Sequence, residues 1–131
     1  MLKKRIIFTL HYDKGFFNLS RNFRLQKIGD LNWLLKNYNF LKIAESIDEL
    51  IIIDVSRDNR EHEKFLENVS EITKNIFVPV CLGGGIRTLE YAKKLFESGA
   101  DKINLNTSLF HDPSLVDEIS KTYGAQAIIG H

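Results

Sequence analysis

Three consecutive glycines, Gly83, Gly84 and Gly85, stand between an apolar run, Ile76 to Leu82, and Thr88, a polar residue that opens a helical pattern at Leu89. Glycines between a strand and a helix let backbone N–H groups come close to an anion, and the helix N-terminus adds partial positive charge. The stretch therefore reads as a phosphate cradle in which Gly84 and Gly85 supply the close approach. It is neither a GxGxxG dinucleotide fingerprint nor a P-loop, because no Gly-Lys-Ser/Thr follows. Asp54 closes a second apolar run, Leu50 to Val55, and a carboxylate at the end of such a strand is a ligand-site candidate by position. Cys81, inside an apolar strand, reads as a packed thiol rather than a nucleophile. His62 lies between Glu61 and Glu63 and reads as solvated surface; His111, ahead of Asp112-Pro113, reads as a loop residue; terminal His131 is assigned nothing. No His/Cys/Asp/Glu spacing suggests a metal site, and no cofactor is expected.

Positioning these residues requires alternating strands and helices. Apolar runs begin near residues 5, 48, 76, 101 and 125, with the last reaching Ile129. The run from Leu50 to Val55 shows no alternation, which marks a strand buried on both faces of a parallel sheet. His11 to Gly15 reads as a turn and Phe16 to Phe23 as an excursion hairpin. Between the strands, Asp30 is a good N-cap for a helix through Leu31, Leu34, Leu35, Tyr38 and Leu41, with Trp33 in the core. A second helix carries Phe65, Val69 and Ile72 on one face. A third uses Leu89, Ala92, Leu95 and Phe96 and ends at Gly99. A fourth starts at Asp112-Pro113, turns Leu115, Val116 and Ile119 inward, and closes at Gly124. This is an α/β chain with a parallel sheet: either an open doubly wound sheet or a shortened (β/α)8 barrel. A complete barrel takes about 250 residues, and this chain has 131.

Composition narrows the class. Hydrophobic residues make up 44%, charged residues 27%, and the net charge is +1, an ordinary globular balance without a bulk signal for nucleic acid or membrane. The single cysteine excludes an intramolecular disulfide and fits a reducing compartment. Ile6 to Leu10 is too short for a signal-peptide core and no stretch reaches membrane-spanning length, so a cytoplasmic protein is expected. Neither a linker nor a low-complexity tract divides the chain, so residues 1–131 read as one domain.

A set of motifs in one order and spacing carries a family resemblance: Lys4-Arg5-Ile6-Ile7, Asp48-Glu49-Leu50 through Asp54, Gly83-Gly84-Gly85-Ile86-Arg87, and Gly99-Ala100-Asp101-Lys102 through Thr107. Together they resemble the cyclase subunit of imidazole glycerol phosphate synthase, a histidine-biosynthesis barrel, over its N-terminal half. The resemblance implies a TIM-barrel, (β/α)8, half with about four βα units plus the start of strand five. It also implies a lyase/cyclase acting on a phosphorylated nucleotide intermediate with ammonia from a partner glutaminase. By that resemblance Gly85, Asn106 and Thr107 match the phosphate site, in agreement with two donor-rich loops at strand C-terminal ends. Arg5, Glu49 and Lys102 match a charged ammonia gate at the opposite barrel mouth, and Asp101 matches a position at the glutaminase interface.

The chain departs from the pattern at the catalytic positions. His11 stands where the family has its acid/base aspartate, Asn18 and Leu19 fall where a lysine is expected, and the second catalytic aspartate would lie just past His131. His11 can still move a proton near neutral pH, while Asp13 reads as a turn former. The stretch from Phe16 to Asp30, with Arg21 and Gly29-Asp30, looks closer to a divergent branch associated with surface-polysaccharide gene sets. There the barrel would conduct ammonia toward amidation of a sugar. A half-barrel with unpaired edge strands is also expected to dimerise or to be a degenerate product without activity.

Overall fold

The computed structural model describes residues 6–21, 24–29, 47–56, 61–105 and 113–129, with the backbone course alone for 18–21 and 24–29. The expected helix over 31–41 with Trp33 lies outside the described residues. So do Arg5, Asn106, Thr107, His111, Asp112 and His131.

The chain runs β1 (Ile7–Asp13), β2 (Phe16–Arg21), β3 (Arg24–Gly29), β4 (Glu49–Asp54), α1 (His62–Lys74), β5 (Val80–Gly83), α2 (Leu89–Glu97), β6 (Lys102–Asn104), α3 (Pro113–Tyr123), a 3-10 turn (Ala125–Ala127) and β7 (Ile128–Ile129). The sheet order is β3-β2-β1-β4-β5-β6-β7. β1, β4, β5, β6 and β7 pair in parallel and in sequence order. β2 and β3 form an antiparallel hairpin that joins the upper end of β1 through His11–Asn18, Tyr12–Phe17 and Asp13–Phe16. This is a partial (β/α)8 barrel carrying an extra hairpin.

The parallel register assigns the two faces. Leu10, Ile52, Leu82 and Ile103 are in register across four strands, and none of them is exposed to solvent. They pack beneath the helices with Phe65, Val69 and Ile72 of α1, Ala92 and Leu95 of α2, and Leu115 and Ile119 of α3, in one hydrophobic cluster. Burying each Leu or Ile contributes about 1.5–3 kcal/mol, so this layer is a large favourable part of the folding free energy. Side chains alternate along a strand, and the intervening residues form the inner face. One inner row is Thr9, Ile51, Cys81 and Lys102; the next is His11, Ile53, Gly83, Asn104 and Ile129.

Local signals end the helices where the sequence suggests. Thr88 caps α2, its Oγ1 accepting the Tyr91 amide at 3.1 Å. Gly99 (φ +116°) closes it in a Schellman motif: its N–H donates to the Phe96 carbonyl at 3.1 Å, and the Ala100 N–H donates to that of Leu95 at 3.2 Å. Tyr91, unpredicted, joins Ala92 and Leu95 on the buried side, with Leu89 and Phe96 half-buried around them.

Four boundaries differ from expectation. His11, Tyr12 and Asp13 continue β1, because β4 pairs with the first two and β2 with all three; the turn is only Lys14-Gly15. The hairpin is longer than expected, running to Gly29. β5 starts at Val80 rather than Ile76, because Pro79 has no N–H for a ladder and Phe77 is 99% exposed. The last strand shrinks to Ile128–Ile129, since Ala125 to Ala127 turn as a 3-10 helix.

Candidate functional site

The glycine loop sits at the C-terminal end of β5 and leads into the N-terminus of α2. Gly84 and Gly85 have φ of +99° and +68°, a region that L side chains rarely enter. Gly84 could not carry a side chain for a second reason: a Cβ there would run into the Asp54 backbone at the end of β4. Ile86, 3% exposed, plugs the loop into the core while Arg87 faces solvent. The loop is thus held between two strands with its amides beside the positive end of a capped helix.

Gly83, one residue earlier, belongs to the inner row. A Cβ on it would meet the Asn104 Cβ at 2.8 Å, so the glycine makes room for the buried Asn104. His11 lies in the same row, two strands from Gly83, or about 10 Å at ordinary strand spacing. The register thus brings His11, Gly83 and Asn104 to one face at one level, immediately below the glycine loop. The His11 Nδ1 is buried with no hydrogen-bond partner among the described residues, and burial lowers the pKa of the ring below its ordinary 6.5. The ring is therefore neutral at pH 7 and able to accept a proton.

Asp54 is not in that row. It pairs with Tyr12, one step along the strands, and is 2% exposed. Its Oδ1 accepts the Ser56 amide at 3.0 Å, while Oδ2 has no donor among the described residues. Tyr12 packs edge-on against Phe65 and Phe17, and its hydroxyl accepts from Asn68 Nδ2 at 3.1 Å. Burial, the largest effect, raises the Tyr12 pKa, so the phenol stays protonated.

At the other ends of the strands, Glu49 is buried at the start of β4, and Cys81 pairs with Lys102 on the inner face. Burial first, and the Glu49 charge second, push the Cys81 thiol up to about 11, with Lys102 opposing. Both Glu49 and Lys102 therefore influence the same thiol, on the inner face near the strand starts. Asp101 is engaged in the backbone: its Oδ2 accepts the Val80 amide and its own amide donates to the Val80 carbonyl, each at 2.8 Å. It also lines an open groove of about 340 Å³ with Ser70, Thr73, Lys74, Ile76 and Gly99, at the end of the sheet away from the glycine loop. His62 is half-buried rather than freely solvated, its ring stacked on Tyr91 at 4.1 Å. No group of three or more His, Cys, Asp or Glu side chains that could hold a metal ion occurs among the described residues, and no described helix is long and apolar enough to cross a membrane.

Asn104 and Ser56 were not signalled by the sequence as site residues. Asn104 sits in a short polar-flanked run, and only the strand register reveals that it shares a face with His11.

Residues 26–130 match the family described as histidine biosynthesis protein. Over 129 residues, 98% of this chain, the sequence is 56% identical to a protein of Parasynechococcus marenigrum (strain WH8102) provisionally named imidazole glycerol phosphate synthase subunit hisF2, of which it covers 48%. It is 39% identical to imidazole glycerol phosphate synthase subunit HisF of Staphylococcus carnosus (strain TM300) and 37% identical to that of Campylobacter jejuni subsp. jejuni serotype O:6 (strain 81116 / NCTC 11828), covering 49% of each. The chain spans about half the length of the curated relatives it matches. It belongs to the histidine biosynthesis protein family, and corresponds to the N-terminal half of an imidazole glycerol phosphate synthase cyclase-subunit-like barrel.

Proposed function

We propose that this half-barrel binds a phosphorylated ligand at its strand C-terminal end and uses or conducts ammonia that a partner glutaminase delivers from the opposite end. One observation carries the reading: Gly84 and Gly85, both at positive φ, present their loop at the capped N-terminus of α2, directly above the inner row that holds His11. Anions are favoured there by N–H donors and helix dipole together. Asn106 and Thr107, which follow β6, complete the phosphate site in this reading. Glu49 and Lys102, on the inner face at the strand starts, form with Arg5 the gate through which ammonia passes, and Asp101 stands at the glutaminase interface. The activity of the complete protein is then that of a lyase/cyclase in histidine biosynthesis, in the cytoplasm.

Neutral His11 replaces the expected aspartate as the acid/base group. The substitution also favours a second reading, in which the barrel only conducts ammonia to another acceptor, such as a sugar in surface-polysaccharide assembly. The test is turnover of the complete protein with ammonium and the phosphorylated nucleotide substrate, for wild type and for His11→Asp. Turnover by wild type supports the cyclase. Turnover only after His11→Asp supports ammonia conduction on a cyclase scaffold. Absence of turnover in both, with no stimulation of a glutaminase, overturns the proposal.

A further inference from the structure

The glycine loop and the β2–β3 hairpin are joined through one short segment, Asp54-Val55-Ser56. Asp54 and Ser56 are 2% and 1% exposed. On one side, the Asp54 backbone is the surface against which Gly84 rests. On the other, the Ser56 Oγ accepts the Lys14 amide at 3.2 Å, in the turn that opens the hairpin, and the Val55 amide donates to the Tyr12 carbonyl at 2.8 Å. The Asp54 Oδ1 holds the Ser56 amide at 3.0 Å and so sets where that Oγ stands.

We propose that Asp54 and Ser56 are positioning residues: a buried brace that locks the β1–β2 turn, and with it the hairpin, to the glycine loop that cradles the ligand's phosphate. The inference rests on the phosphate-cradle reading for its ligand but not for its mechanics. It also separates two roles for Asp54. A ligand contact or proton carrier needs the carboxylate charge. A brace needs the Oδ1 acceptor alone, and among the described residues Oδ2 has no hydrogen-bond partner. Asparagine keeps a carbonyl oxygen at the Oδ1 position and places its NH2 where Oδ2 stands, so it can serve as a brace and cannot serve as an anion.

The experiment is amide hydrogen exchange on the protein and its Ser56→Ala, Asp54→Ala and Asp54→Asn variants, alongside titration with inorganic phosphate. Loss of one hydrogen bond corresponds to roughly tenfold faster exchange at Lys14 and the hairpin amides in Ser56→Ala. The core amides of Leu82 and Ile103 keep their protection, which separates a local brace from global unfolding. Phosphate affinity falls roughly three- to tenfold in the same variant. Asp54→Asn stays within about twofold of wild type on both readouts, whereas Asp54→Ala behaves like Ser56→Ala or worse. Should Asp54→Ala not fold, the Ser56→Ala and Asp54→Asn pair decides alone. The brace is overturned if Asp54→Asn is as damaging as Ser56→Ala, or if Ser56→Ala leaves exchange at Lys14 at the wild-type rate. Failure of the wild-type protein to bind phosphate removes the cradle reading instead, and the exchange pattern still decides the brace.

Discussion

The two faces of the parallel sheet are built from the same strands and do opposite work. The helix-covered face is a closed apolar layer in which Leu10, Leu50, Ile52, Leu82 and Ile103 are completely buried. The inner face sets Thr9, His11, Glu49, Cys81, Lys102 and Asn104 among Ile51 and Ile53. One face holds the chain together by burying area, and the other gathers groups that donate, accept or carry charge. Because neighbouring residues on a strand belong to different faces, stability and chemistry are separated by a single residue step.

Truncation tests this contrast with the largest expected effect. Leu82→Ala removes a side chain with no exposed area and should cost about 2–5 kcal/mol in a urea unfolding experiment. Ile53→Ala, at a partly buried position on the inner face, should cost less than half as much. Equal costs would mean that the inner face is a second core. Next in size is Gly84→Ala, which combines positive φ with the Asp54 backbone in the way; it should cost roughly 1–3 kcal/mol and abolish phosphate binding by calorimetry. An alanine tolerated there without loss would show that the loop is not braced as described.

Smaller effects probe the inner face alone. His11 has its pKa lowered on folding, so the unfolded chain binds the proton more readily. The sign follows: stability is fully present above about pH 6.5 and is lost as pH falls from there toward the folded-state pKa. His11→Gln should flatten the pH dependence of the urea midpoint in that window, and an unchanged slope would place the His11 ring in solvent. The smallest effect concerns Cys81. With its thiol pushed up to about 11, alkylation by iodoacetamide at pH 8 should be slow in the native protein, and Glu49→Gln should speed it modestly by removing a charge that opposes the thiolate. Rates indifferent to Glu49 would separate the two residues.

The covered face was legible from the chain alone: Phe65, Val69 and Ile72 recur at helical spacing and are all buried. So were the ends of α2, because Thr88 and Gly99 act through their own backbone and side chains. The inner face was harder to read. Parallel strands carry apolar residues on both sides, so Leu50 to Ile53 shows no alternation from which to tell Ile52, beneath the helices, from Ile53, on the inner face. His-Tyr-Asp-Lys-Gly resembles a turn locally, and only pairing with β4 and β2 draws His11 into a strand. Asn104 and Ser56 acquire their places from partners far along the sequence, the first from Gly83 and Ile129 and the second from Lys14.

The row His11–Ile53–Gly83–Asn104–Ile129 crosses five strands without a break in register. Inserting or deleting one residue inside any of those strands would rotate the rest of that strand half a turn, turning leucines onto the inner face and a histidine or lysine beneath the helices. Residue types can therefore change within strands of fixed length without disturbing the row, and extra chain is accommodated in the connections, where the β2–β3 hairpin stands between β1 and β4.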